Sequence, residues 1–91
     1  MNKLFYVYII ENSLSHAWYI GFSTDVARRL DEHNQRIGSR FTRKAKGDWS
    51  LIYLEGYFNK SDALGREKFL KSGAGRKYLK KQLANYIKTF N

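Results

Sequence analysis

Five side chains of this sequence could do chemistry together: Tyr8, Tyr19, Arg29, His33 and Glu67. Glu67 lies in a run with helical spacing, between Ala63 and Leu64 on the wheel and one turn before Leu70. A carboxylate in an apolar stripe is costly to bury without a partner. Two partners are open at this point: an arginine in a structural ion pair, or a divalent cation at the floor of a cleft. Arg29 and His33 are one helical turn apart, at the edge of a stripe formed by Val26 and Leu30, and would project together. Tyr8 and Tyr19 fall on two strand-like runs separated by a turn, so they can be neighbours across a hairpin. Half-buried packing accounts for two such tyrosines, and so do hydroxyls turned into a polar site. An acid, an arginine, a histidine and two phenols on a basic chain are the parts of a phosphodiester hydrolase. A metal ion would polarise the phosphate, arginine would stabilise the developing charge, and a phenol or imidazole would move the proton of water.

The elements that must hold these residues follow from pattern. Leu4 to Ile10 is aromatic and β-branched with both faces apolar, which predicts a central strand. Residues 11–16 read as a turn, and Ala17 to Gly21 as the second arm of an antiparallel hairpin. Ser23, Thr24 and Asp25 supply a helix start, and the helix runs from Asp25 to about Gln35. Residues 36–48 show no period and read as a basic loop. Trp49 to Tyr57 reads as a third strand, with Trp49, Leu51 and Tyr53 alternating against Ser50, Ile52 and Leu54. Asn59 to Asp62 starts a second helix that Gly73 would end. A third follows Gly75, with Leu79, Leu83, Tyr86, Ile87 and Phe90 on one side. The expected fold is α/β of the α+β type: one domain over residues 1–91, with a three-stranded antiparallel sheet flanked by three helices.

Composition narrows the function. The 91 residues hold 17 Lys and Arg against 8 Asp and Glu, a formal net charge of +9, which points to a polyanionic partner. The charge is concentrated. Residues 28–46 hold seven basic and two acidic residues, net +5, and residues 59–81 hold eight and two, net +6. Cysteine is absent, which excludes disulfides, thiolate catalysis and cysteine-ligated zinc. No apolar run reaches membrane-spanning length, and no signal-peptide core follows the first residues, so the expected location is cytoplasmic. Arg40, Arg43, Lys44 and Lys46, with Phe41 among them, would suit a nucleic-acid backbone with stacking. Lys71 and Arg76 flank Gly73 and Gly75. Those glycines serve as helix punctuation or let backbone approach a phosphate.

The spacing of these residues resembles the GIY-YIG nuclease superfamily. Tyr6-Val7-Tyr8, Tyr19-Ile20-Gly21 and Thr24 to Asn34 carry the likeness, which spans essentially the whole chain. Tyr8 matches the last residue of the first motif, and Tyr19 the first tyrosine of the second. Arg29, ten residues past Tyr19, matches the catalytic arginine, and His33 a histidine one turn on. Glu67, within Ala63-Leu64-Gly65-Arg66-Glu67-Lys68, matches the metal-binding glutamate. The likeness is nearest to short, free-standing bacterial members similar to the N-terminal catalytic domain of the DNA-repair excinuclease. It implies one magnesium or manganese ion on Glu67, Arg29 on the scissile phosphate, and water activation by Tyr8 or Tyr19, with Tyr8 preferred. Tyr6 departs from it by standing where the first motif has glycine. The expected activity is a DNA endonuclease with a role in DNA repair or processing. A non-catalytic nucleic-acid-binding module on the same fold is the alternative. Targeting by a homodimer or a protein partner stays open, because 91 residues hold no separate specificity domain.

Overall fold

The computed structural model describes residues 3–89. Within them lie three strands, β1 (Phe5–Asn12), β2 (Trp18–Ser23) and β3 (Trp49–Tyr57). Five helices accompany them: α1 (Val26–Asn34), α2 (Arg40–Lys44), α3 (Lys60–Lys71), α4 (Gly73–Gln82) and α5 (Ala84–Lys88). The sheet is antiparallel throughout, in the order β2-β1-β3. β1 is central because both its faces are apolar, and every residue from Val7 to Asn12 is buried.

Alternation along β1 divides the core in two. Val7 and Ile9 point to one face, where Ala63 and Leu70 of α3 and Leu79 of α4 cover them. Tyr8 and Ile10 point to the other, with Trp49 and the partly buried Val26 and Leu30 of α1. The simple alternation expected for β3 fails at a bulge. Tyr53 pairs with Ile9 but Leu51 with Ile10, so Ile52 is extra, and Ile52 and Tyr53 both pack on the α3–α4 side.

Five helices stand where three are expected, for two physical reasons. The stretch that reads as a basic loop contains α2, capped by Ser39. The Ser39 side chain accepts from the Thr42 amide, and the Thr42 side chain accepts from the Ser39 amide. A helix of five residues is too short to show a period. The C-terminal helix breaks at Leu83 (φ −105, ψ 23) into α4 and α5. Leu83, Tyr86 and Ile87 are half-buried, and Phe90 lies outside the described residues.

Gly73 does not end α3. Ser72 does, and the same residue caps α4, its hydroxyl accepting from the Gly75 amide. Gly75 is needed for packing rather than punctuation, because a β-carbon there would collide with the Phe69 carbonyl oxygen and Leu70 Cα of α3. No helix among the described residues is long and apolar enough to cross a membrane.

Candidate active site

The site is built on the Tyr8 face of the sheet and held together by the α1 helix. Asp25 caps α1, its carboxylate accepting from the Arg28 amide at 3.1 Å. Arg36, at φ 65, closes the helix C-terminus, with the Ile37 amide bonded back to the Glu32 carbonyl. Between these ends Arg29 and His33 share one edge, as their spacing requires. His33 is fully buried.

Register places the two phenols. Tyr8 pairs with Gly21 and Ile10 with Tyr19, so Tyr8 and Tyr19 are diagonal neighbours on one face, their ring centroids 6.4 Å apart. Gly21 leaves room for this arrangement. A β-carbon on it would fall 2.5 Å from the Tyr8 hydroxyl. The Tyr8 hydroxyl lies 2.9 Å from His33 Nε2, and the Tyr19 ring packs 4.9 Å from the imidazole. On its other side His33 Nδ1 lies 2.7 Å from Thr42 Oγ1. Thr42 is fully buried and carries no signal of its own in the sequence. Only the spacing of Ser39 and Thr42, four residues inclusive, could have pointed to the capped turn that delivers it.

Electrostatics set the protonation states. Burial pushes the Tyr8 phenol above its ordinary range, and the neighbouring Tyr19 adds to this. The Arg29 guanidinium, which reaches the Tyr8 hydroxyl, opposes part of the rise, and Glu67 adds a small push upward. Burial pulls His33 down to about 4, helped by the Arg29 charge and partly offset by Glu32. Its imidazole is therefore neutral at pH 7. Arg29 is held in its charged form first of all by Glu32, whose carboxylate accepts from Arg29 Nη1 at 2.8 Å. Glu32 is itself drawn below the usual carboxylate range, chiefly by that bond.

Glu67 comes from the opposite side of the sheet, on α3. It is half-buried, one turn after buried Ala63, whereas Leu64 is 40% exposed and no part of the core. Its ion-pair partner is Lys71, at 3.1 Å, and not an arginine. Arg66 instead clamps α3 to β3 through Glu55, at 3.0 and 3.1 Å. Among the described residues no three His, Cys, Asp or Glu side chains form a metal cluster. That excludes a closed site of zinc type within them. A lone carboxylate of this kind does fit magnesium or manganese, which take one or two protein carboxylates and leave the remaining positions to water and substrate phosphate.

The candidate nucleic-acid residues divide into two groups. Arg40, Arg43 and Lys44 are exposed on α2, with Lys46 exposed just beyond. Lys71 and Arg76 line a groove of about 530 Å³ along β2, together with Trp18, Tyr19 and Phe41. Phe41 joins the two groups. It is 46% exposed, and its ring is supported by Tyr19 at 6.1 Å and Trp49 at 6.0 Å.

This sheet order and this grouping of tyrosine, arginine, histidine and glutamate define a nuclease-type domain. The model of the GIY-YIG catalytic domain matches residues 4–82, and the chain belongs to that family of nuclease domains. Among its members it is similar to the UPF0213 proteins. A UPF0213 protein of Haloquadratum walsbyi is 42% identical over 84 residues, covering 92% of this chain and 90% of that one. Another, from Enterococcus faecalis, is 34% identical over 93 residues, covering 90% of this chain and 100% of its own. The solution NMR structure of a UPF0213 protein from Bacillus halodurans has 32% sequence identity and a TM-score of 0.53, over 91% of this chain and 84% of that one.

Proposed function

We propose that this chain is a metal-dependent endonuclease that hydrolyses phosphodiester bonds in DNA. The observation that carries the reading is the 2.9 Å contact between the Tyr8 hydroxyl and His33 Nε2, with Arg29 at the same hydroxyl. A phenol with a neutral imidazole behind it and a fixed cation beside it is a proton-moving group aimed at an anion. A packing role asks for none of these three partners.

In this reading Arg29 binds the scissile phosphate and stabilises charge as it develops there. Tyr8 takes a proton from the attacking water while its own passes to His33. Tyr19, half-buried between the imidazole and the groove, orders the water and the strand. Glu67 holds the divalent ion, magnesium or manganese, which supplies Lewis-acid polarisation of the phosphate when bound. Arg40, Arg43, Lys44, Lys46, Lys71 and Arg76 take the backbone of the nucleic acid, without sequence preference of their own. DNA processing or repair inside the cell is the matching role, with targeting by a homodimer or a protein partner.

One observation favours the alternative of a non-catalytic binding module. The Glu67–Lys71 pair accounts for the carboxylate without any metal. A cleavage assay on supercoiled plasmid and labelled branched DNA separates the two. Nicking that needs magnesium or manganese, stops with EDTA, and is lost in Glu67→Ala and Arg29→Ala supports the nuclease. Salt-sensitive binding without turnover on any substrate supports the module.

A further inference from the structure

We propose that Thr42 is a positioning residue for His33: its hydroxyl accepts the imidazole Nδ1–H and so reserves Nε2 for the proton of Tyr8. The consequence for turnover rests on the hydrolytic reading above. The hydrogen-bond assignment does not.

The argument is a count of donors and acceptors. A neutral imidazole has one of each. Tyr8 is 1% exposed, and the other group that reaches its hydroxyl, Arg29, can only donate. The phenolic hydrogen therefore goes to His33 Nε2 at 2.9 Å. The opposite tautomer would leave a buried phenolic donor without an acceptor, at a cost of about 1–3 kcal/mol. Nδ1 then carries the imidazole hydrogen and donates to Thr42 Oγ1 at 2.7 Å. The Thr42 hydroxyl donates onward to the Ser39 carbonyl at 3.3 Å and accepts from the Ser39 amide at 3.2 Å. Every member of the chain has a partner.

The surroundings hold this arrangement in place. Trp49 Nε1 donates to the Thr42 carbonyl at 3.3 Å. Gly38 closes the other side, since a β-carbon on it would collide with His33 Nδ1. The groups facing His33 are Tyr8 from β1, Tyr19 from β2, Arg29 and Glu32 on its own helix, and Thr42 from α2. When Tyr8 gives up its proton, the O–H bond breaks as Nε2–H forms, leaving a phenolate beside Arg29 and an imidazolium. Nδ1–H stays on Thr42 throughout. The α2 helix thus carries the lock inward while Arg40, Arg43 and Lys44 on it are exposed.

Side-chain ¹⁵N NMR of histidine-labelled protein, without nucleic acid, tests the assignment. Wild type and Thr42→Ser should show neutral His33 with hydrogen on Nδ1. Thr42→Val should shift it toward the Nε2–H form. With DNA, Thr42→Val should lower kcat by about 10- to 100-fold at unchanged KM, and Thr42→Ser should restore it. Hydrogen on Nε2 in wild type, or an unchanged tautomer in folded Thr42→Val, overturns the proposal. Should Thr42→Val not fold, the wild-type and Thr42→Ser spectra decide it. Absence of cleavage by every variant would sink the hydrolytic reading and leave the tautomer result standing.

Discussion

Lys71 Nζ lies 3.1 Å from Glu67 Oε2, so the carboxylate proposed to hold a metal already has a cation one helical turn away. The lysine side chain is 51% exposed and the glutamate 18%. Lys71 is thus free to swing to a phosphate of the substrate, while Glu67 stays where it is.

Glu67→Ala should therefore abolish cleavage and barely change stability. An exposed i,i+4 pair is worth about 0.3–0.5 kcal/mol, and alanine returns part of that through helix propensity. Thermal melting beside the plasmid assay checks both halves. A melting midpoint many degrees lower would make Glu67 structural first and would remove it from the site.

Stability should fall with acid in a window set by His33. Its folded-state value is pulled down to about 4 from the ordinary 6.5, first by burial. Between those values the unfolded chain binds the proton and the folded one does not, so stability declines as pH drops through the window and levels off below it. Urea unfolding from about pH 7 to about pH 5 stays above the carboxylates and isolates the histidine. His33→Gln should flatten the slope. An equal slope in that variant would count against the buried neutral imidazole.

Two helical glycines should respond to alanine with opposite signs. Gly65, exposed inside α3, has no atom within 4 Å of an added β-carbon. Gly65→Ala should stabilise by about 0.5–1 kcal/mol, raising the melting temperature by about 3–6 °C. Gly75, against Phe69 and Leu70, has no such room, and Gly75→Ala should cost about 1–3 kcal/mol. Equal effects would mean that α3 and α4 do not approach as closely as described.

Legibility of the sequence follows the range of the interactions involved. β1 is plain because its two apolar faces are a local pattern, and the N-caps of α1 and α3 are local side-chain chemistry. Arg29 and His33 can be paired by spacing alone. Thr42 cannot, because it meets His33 only through the turn between α1 and α2. Gly75 reads as punctuation because nothing in its neighbourhood along the chain announces Phe69 and Leu70 across the joint. The bulge at Ile52 escapes for a related reason. It is a property of the pairing with β1 and not of the β3 sequence.

Substitutions on α2 and at Arg29 should separate binding from turnover. Arg43 and Lys44 are exposed and carry no ion pair among the described residues, so their charges are available to phosphates. Each phosphate contact releases counterions, and log K falls with log salt by about 0.9 per contact on duplex DNA. Arg43→Ala with Lys44→Ala should therefore weaken binding at low salt and reduce the slope by about 2, with kcat little changed. Arg29 sits deeper, bonded to Glu32 and facing Tyr8. Arg29→Ala should leave the salt slope within about 1 of wild type while kcat collapses. Fluorescence anisotropy across a salt series, beside single-turnover cleavage, reads both quantities. If the α2 double variant kept the full slope, the exposed cations of α2 would not be the track, and the groove of Lys71 and Arg76 would carry the backbone alone.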